Sequence, residues 1–599
     1  MKKIVSTTSL VLLLLSLSLN AQVIPSNRRV NWQQIIQNYS FQEPTKVISI
    51  LDYGGVADGK TDNSEALKKA IASYHDHAGT VFFPAGKYLF NASVSVPDSI
   101  QLKGDGSDKT ELIFNLNHKP EDCIRITGSA ENHFVHLKGG YSFGSNKLLT
   151  DSAFYFHSGD WVEILENNGK WNTVPAEWAR LSVGQIVKVK NVSGNTVILE
   201  SPLRITYLDS LKPRMQRIEP VKNVSIACLK ILRTDRPATG GGFNIFMDYA
   251  VNSRVTGVES DSSSGSHVYI SRSAQIRVEG CYFHRAFEYD GVSTHGYGVT
   301  LAHHSSGCLV ANNIFVHLRH AMMVKTGANG NVFAYNYSRD PFRSESISDL
   351  SGDISLHGHY PYANLFEGNI VQNIIVDHYW GPSGPLNTFF RNRAELWGII
   401  VTQSDTTETA KLNFVGNECT DSSFLHGQFV MNGTDNFLYA NNILGVLIPD
   451  SSGKLPDSSY YLKVKPGFWA SDESWPDIGI PNKLGSGTIP AEKRFEKGGL
   501  LTVCPEVSTA VENHLLHSAI WRIGPNPVQN VLYISAPEGE GPQSFTIRLF
   551  DIQGKQLYVK TFQGKSAVMS LKRELKPGVY LLEISSEKAR FVKKIVLTK

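Results

Sequence analysis

Along most of this chain the apolar residues fall in short runs, broken by Asn and Gly, and the runs recur. Asn331-Val-Phe-Ala-Tyr-Asn336 returns as Asn364-Leu-Phe-Glu-Gly-Asn369, as Asn387-Thr-Phe-Phe-Arg-Asn392 and as Asn436-Phe-Leu-Tyr-Ala-Asn441. Weaker copies start at Asn223, Ser253, Ile276, Cys308 and Leu412, and successive starts are 30, 23, 32, 23, 33, 23, 25 and 24 residues apart. Runs this short predict strands rather than helical faces. The period is too short for propeller blades of about 40 residues and lacks the leucine pattern of a leucine-rich repeat. It predicts an all-β fold, a parallel β-helix with about three short strands per coil. The closing residues Asn313, Asn336, Asn369, Asn392, Asn417 and Asn441 would stack as a ladder at one bend, bonding buried backbone groups of successive coils.

Three units are longer than the rest, with the surplus at Thr234–Phe243, Ala286–Gly296 and Asp340–Gly352. Loops added along one side of a solenoid predict a binding face there. Residues 155–207 break the rhythm. Gly159–Ile164 and Gly184–Val197 alternate apolar and polar, and Ser193-Gly194-Asn195 supplies a turn, which predicts a small antiparallel insertion. From 446 to 521 the repeat decays into Pro, Gly and Ser, as a wrap over the last coil and a linker. The stretch 522–599 alternates again in short strands. At the other end, Lys2-Lys3 and the apolar run Leu10–Leu19 read as a secretory signal over residues 1–21, too short to span a bilayer. No second apolar run of that kind follows, so no integral membrane segment is expected. Residues 22–46 form a lead into the β-helix proper, 47–445.

Charge refines this. The 599 residues carry a formal net charge of +3. The tail from Arg522 holds 13 Lys+Arg against 6 Asp+Glu, a net of +7; with Lys2 and Lys3 removed, the body stands at 3 − 7 − 2 = −6. An acidic body argues against nucleic acid as partner. Six cysteines at 123, 228, 281, 308, 419 and 504 are too sparse for a disulfide scaffold and form no zinc motif. They read as small buried residues. Cys228 and Cys281 fall in one column, two coils apart, roughly 10 Å and too far to bond.

Two segments resemble known families. Asp52-Tyr-Gly-Gly-Val-Ala-Asp-Gly-Lys-Thr-Asp-Asn63, followed by Gly79-Thr-Val-Phe-Phe-Pro-Ala-Gly-Lys-Tyr88, is similar to the pectate-lyase-3 type entry segment of the pectin-lyase-like superfamily, relatives of glycoside hydrolase family 28 among them. The likeness covers about Val47–Leu112 and implies a right-handed parallel β-helix. It does not choose between lyase, hydrolase, epimerase and phage spike. The tail, with Pro525-Asn-Pro527, Leu549–Lys555 and Pro577–Ile584, resembles the type A C-terminal sorting domain of type IX secretion. That implies a β-sandwich over 522–599, handling by the type IX machinery, and a secreted or outer-surface protein. A monomer is expected.

The chemistry left to read is a crowding of histidines: 11 of 19 lie between His267 and His426. Counting back from the unit starts places Tyr297, His320, Asp353, Asp377 and His426 on one strand position of successive coils, with His267 nearly in register. Such a polar stripe suits a groove for a chain-like ligand. A glycosidase would use Asp353 and Asp377 as its carboxylate pair, with Glu395 as a third candidate. A lyase or epimerase would use His320, Lys325, His357 or His378 as acid or base and Arg319, Arg391 or Arg393 to hold a substrate anion. His267, Tyr379 and Trp380 would contact the ligand. No cofactor is expected; calcium fits such chemistry, but no dense carboxylate cluster supports it. The residues thus point to a secreted polysaccharide-degrading enzyme, lyase or hydrolase, or else to a non-catalytic glycan-binding or adhesive β-helix.

Overall fold

The computed structural model describes residues 22–504, except 76 and 238–240, and most of 522–598. The expected signal segment and residues 505–521 lie outside the described residues. The chain divides into two compact units, 1–504 and 505–599.

The larger unit is a right-handed parallel β-helix. Its first sheet holds twelve parallel strands, from Val47–Ser49 to Phe437–Tyr439, paired in chain order. Nine of these are the repeat units. Eight keep the expected register; the first is displaced by one, because Ser225 pairs with Arg254 and Val224, not Asn223, matches Ser253. Each coil then adds a strand to a second sheet, such as Tyr282–Ala286 or Ile314–Val316, and one to a third, such as Tyr297–Ala302 or His320–Val324. The three long loops all leave the corner between second and third sheets.

Inside the coil, in-register aromatics stack. Phe333, Phe366, Phe389 and Phe414 follow one another at 5.2, 5.1 and 4.8 Å. Beside them runs the Asn ladder, all six residues fully buried. Asn336 Nδ2 donates to Asn369 Oδ1 and Val310 O at 2.9 Å, and Asn369 Nδ2 repeats this with Asn392 Oδ1 and Phe333 O at 2.9 Å. A second, unforeseen ladder of Asn331, Asn364 and Asn387 runs along the opposite end of the strands. Asn369→Leu leaves donors and acceptors of two neighbouring coils unpaired, so it should cost about 3 kcal/mol or more. Chemical denaturation of the purified variant checks this; a loss below about 1 kcal/mol would mean the ladder is ornamental.

The residue before each ladder Asn has positive φ: Tyr335 at 56°, Gly368 at 66°, Arg391 at 53°, Gly416 at 67°. Cys228 occupies this column, at 55°. It therefore turns outward and pairs with Cys504, Cα to Cα 5.3 Å, which corrects the expectation of unpaired cysteines. Cys123, Cys281, Cys308 and Cys419 are free and buried.

The outer face of the first sheet is covered. The lead contributes Trp32 and Ile35, the insertion Leu203 and Tyr207, and the wrap Tyr460, Trp469 and Ile478. The insertion is wider than 155–207: its seven-stranded antiparallel sheet runs from Ser129 to Glu219. It is pinned to the coils by Glu163 Oε1 to His304 Nε2 (2.6 Å), Arg204 to Asn329 (2.7 Å) and Tyr362 OH to Gly184 O (2.7 Å). At the entry end, helix Ser64–Ala72 packs Leu67 and Ala70 onto the core. At the exit end, Val446–Ile448 folds back antiparallel on Asn441–Ile443.

The tail unit is a three-stranded and a four-stranded antiparallel sheet sharing a core of Leu532, Phe545, Ile547 and Leu582. Among the described residues no helix is long and apolar enough to cross a membrane.

Candidate functional site

The outward face of the third sheet, beside the long loops, carries the predicted stripe, with Tyr297, His320 and Lys325 buried and His357 and Asp377 half-buried. Its register sorts the predicted stripe. Tyr297 pairs with His320, and Lys325, His357 and Asp377 follow one another on consecutive coils at the far end of the same strands. Strand curvature and side-chain reach then bring most of these together. The Tyr297 and His320 rings meet edge-on at 4.8 Å, and the His320 and His357 rings lie 6.0 Å apart. His357 Nδ1 donates to Asp377 Oδ2 at 2.7 Å, and the exposed Tyr379 ring lies parallel to His357 at 6.1 Å. Arg319 sits over Tyr297, 5.6 Å from the ring centre, and enters no ion pair among the described residues.

The hydrogen bonds fix the tautomers. His320 Nδ1 donates to the Gly352 carbonyl at 2.9 Å, so in the neutral ring Nε2 carries the free lone pair. Burial, then Arg319 and His357, hold this imidazole well below 6.5. Asp377 orients His357 and stabilises its ring when it carries a second proton.

Lys325 is buried beside this group. Its ammonium lies 5.2 Å from the Trp178 ring and 5.6 Å from Tyr269, with no ion pair among the described residues, and burial lowers it to about 8. Trp178, from the insertion, also meets His359 at 4.7 Å and Trp380 at 5.2 Å. His359 is fully buried, neither ring nitrogen has a hydrogen-bond partner, and burial lowers it to about 4.

Other predicted residues lie elsewhere. Asp353 is one position out of the stripe and turns inward at a corner. It accepts from Ser338 Oγ (2.6 Å), Gln372 N (2.8 Å) and Asn373 N (2.9 Å), and burial raises it to about 6. It does not meet Asp377 as a pair. Asp353→Asn should lower stability by about 1–3 kcal/mol, since an amide N–H would oppose those donors, yet leave turnover of the folded protein near wild type. A kcat fallen a hundredfold with an unchanged melting temperature would contradict this. His267 is fully buried between Ser260 Oγ (2.8 Å) and Arg285 O (2.9 Å), held neutral by burial at about 3. His378 is locked between Thr402 Oγ1 (3.1 Å) and Thr409 N (2.9 Å). Arg391 and Arg393 are not on this face. Arg391 donates to the wrap carbonyls of Asp457 (3.0 Å), Ile478 (2.6 Å) and Leu455 (3.1 Å). Arg393 is buried against Glu418 (2.8 Å) and Gly487 O (2.6 Å). Arg391 sits at a corner, with φ 53°, and Arg393 opens a strand paired with Ile370 and Glu418.

Among the described residues, those that could hold a cation form two clusters. Glu259, Asp261 and His284 are already neutralised by Lys230, 3.0 and 3.3 Å from the two carboxylates, and by Arg285. Glu288, Asp290 and His295 lie in the second long loop, with Arg236 on Glu288.

Comparison with known proteins fits this architecture. The entry segment is pectate lyase-like. Residues 47–157 match the family described as rhamnogalacturonase A/epimerase, pectate lyase-like. Residues 522–598 match the secretion system C-terminal sorting domain, which directs the protein through type IX secretion to the outside or the cell surface. The pre-neck appendage protein of Bacillus phage B103 is 39% identical over 67 residues, 11% of this chain and 7% of that protein. Plasmin and fibronectin-binding protein A of Streptococcus pneumoniae is 22% identical over 441 residues, 68% of this chain and 56% of that protein. The chain thus spans a small part of the first and little more than half of the second. The tailspike of Pseudomonas phage phi297, a solved structure, is 16% identical at a TM-score of 0.49, covering 66% of this chain and 74% of the tailspike.

Trp178 and His359 were not anticipated as site residues. Trp178 lies in a stretch without alternation, and nothing in its spacing ties it to coils 150 to 200 residues away. His359 carried a signal, its place among the crowded histidines.

Proposed function

We propose that the protein is a secreted polysaccharide-acting enzyme whose chemistry is proton transfer on the outer face of the third sheet. One observation carries this: His320, kept neutral with its Nε2 lone pair free, lies 6.0 Å ring to ring from His357, which is backed by Asp377. Two titratable groups in contrasting environments are the pattern of an acid–base pair.

On a uronic-acid unit the pair would act as follows. His320 Nε2 takes the proton from the carbon beside the carboxylate, while Arg319 neutralises the carboxylate as it gains enolate character. The electron pair forms a carbon–carbon double bond as the neighbouring glycosidic C–O bond breaks. His357 Nε2–H then protonates the leaving oxygen. Lys325 binds the chain beneath Trp178.

Glycosidase chemistry is less well served. The outward strand positions of the third sheet carry two carboxylates among the described residues, Asp248 and Asp377, five coils apart by register. At about 4.8 Å per coil that is roughly 24 Å, against about 5–9.5 Å for a glycosidase pair. Asp248 is moreover held by Arg272 at 2.8 and 2.6 Å.

A panel of acidic and neutral polysaccharides, read by absorbance of an unsaturated uronide and by reducing ends, tests the proposal. A rise in absorbance is the expected result. Reducing ends without absorbance would replace elimination by hydrolysis, and binding without cleavage would leave a glycan-binding surface.

A further inference from the structure

The middle of the three long loops, Ala286–Gly296, carries a histidine with one nitrogen left over. His295 is 5% exposed. Its Nδ1 lies 2.9 Å from Asp290 Oδ1. An ionised carboxylate only accepts, so Nδ1 carries the proton, and in the neutral ring Nε2 keeps its lone pair. That Nε2 is buried and has no hydrogen-bond partner among the described residues. It faces Glu288 Oε2 at 3.6 Å, beyond hydrogen-bonding distance. Two acceptors thus point at one another across a gap, an arrangement that costs free energy until a positive centre fills it. The other acidic cluster shows a filled version. There His284 Nε2 meets Glu259 Oε1 directly at 3.1 Å, and Lys230 Nζ lies 3.0 and 3.3 Å from the Glu259 and Asp261 carboxylates. Among the described residues no lysine pairs with the second cluster. Arg236 binds Glu288 through its other oxygen, Oε1, and leaves Oε2 turned towards His295.

We propose that His295 Nε2 and Glu288 Oε2 ligate a divalent metal ion of the zinc class. An ion about 2.1 Å from both atoms, the usual zinc distance to imidazole and carboxylate, would see them about 120° apart across their 3.6 Å separation, near the tetrahedral arrangement zinc favours. An imidazole ligand selects zinc over magnesium and calcium, which take oxygen ligands. Each ligand is held from behind, the imidazole by Asp290 and the carboxylate by Arg236, as the supporting partners of metal ligands are. Two protein ligands leave the remaining positions to water or to an oxygen of a bound molecule. The loop is also tied to both of its neighbours. Arg236 belongs to the first long loop, and Gly291 N donates to Glu345 Oε1 of the third at 2.6 Å. Arg319 N donates to Gly296 O at 2.7 Å and Arg319 Nη1 to Ser293 O at 3.4 Å. An ion joining Glu288 to His295 closes the loop on itself and holds the seat of Arg319.

The test uses the full chain, treated with a chelator and dialysed, with zinc chloride, calcium chloride or magnesium chloride as the added probe. Calorimetric titration should show one equivalent of zinc bound. Zinc at a hundredfold excess over its dissociation constant should raise the melting temperature by about 2–4 °C. Calcium and magnesium should do neither. His295→Ala and Glu288→Gln should each remove that equivalent. Asp290→Ala should weaken it about 10–100-fold, the effect of losing a supporting partner. Zinc should also slow proteolysis within 286–296 in the wild type and not in His295→Ala. Circular dichroism checks that each variant is folded. A wild type that binds no zinc would overturn the inference. So would an equivalent unchanged by both His295→Ala and Glu288→Gln, which is an adventitious ion only, and so would calcium bound in preference to zinc. Binding is read on the protein alone, so these outcomes stand apart from the polysaccharide proposal.

Discussion

His320→Ala is expected to lower kcat on the polysaccharide substrate by roughly 10²–10⁴, the usual worth of a positioned acid or base. The side chain makes one hydrogen bond, to the Gly352 carbonyl, so the fold should survive its loss. Asp377→Asn should cost nearly as much by a different route, because His357 loses the carboxylate that fixes its tautomer and supports its charged form. The pH profile separates a catalytic His320 from a structural one. In the proposed mechanism its neutral form is the base, and burial depresses it well below 6.5. Activity should therefore hold its plateau below pH 6.5 and fall only at more acid pH. A wild-type acid limb centred at or above 6.5, or an alanine variant with more than a tenth of normal kcat, would remove His320 from the chemistry.

Cys228→Ser with Cys504→Ser should destabilise the body by about 2–5 kcal/mol, because the bond closes a loop of 276 residues and ties the wrap to the coils. The wrap is also held by Arg391 and by Tyr460 and Trp469 packed on the first sheet, so the coils themselves should stay assembled. The lesion should show as a lower melting temperature together with early proteolysis between 446 and 504. A double variant that melts with the wild type and resists protease would show that the non-covalent contacts suffice.

The fold was legible because a β-helix writes its period into the chain: one apolar strand, one turn, one inward Asn per coil. The errors trace to places where that period is ambiguous. Asn223 begins a unit by composition, but pairing starts one residue later, and this single step turned Cys228 from an outward bonded residue into an inward bystander. The histidine stripe was read by counting back across corners whose loops differ in length. Tyr297, His320, His357 and Asp377 still came together, while Asp353 slipped to the inside by one position and Arg391 and Arg393 lie away from the stripe. Trp178 was out of reach of any count, because the insertion that carries it reaches the site through tertiary packing and not through the repeat. Its strands beyond 155–207, such as Val135–His136 and Arg214–Glu219, are short or irregular in pattern, which is why the insertion read as smaller than it is.

A solenoid of parallel strands ends, by construction, in a row of open backbone donors and acceptors, and such an edge templates its own extension. Here Val446–Ile448 reverses direction and pairs antiparallel along the last coil, and Asn441 Nδ2, the final rung of the ladder, reaches Ile448 O at 3.4 Å. Helix Ser64–Ala72 closes the opposite end. With both ends closed, end-to-end growth into fibrils is blocked, and a variant lacking 446–448 should polymerise, seen as high-mass species in size-exclusion chromatography.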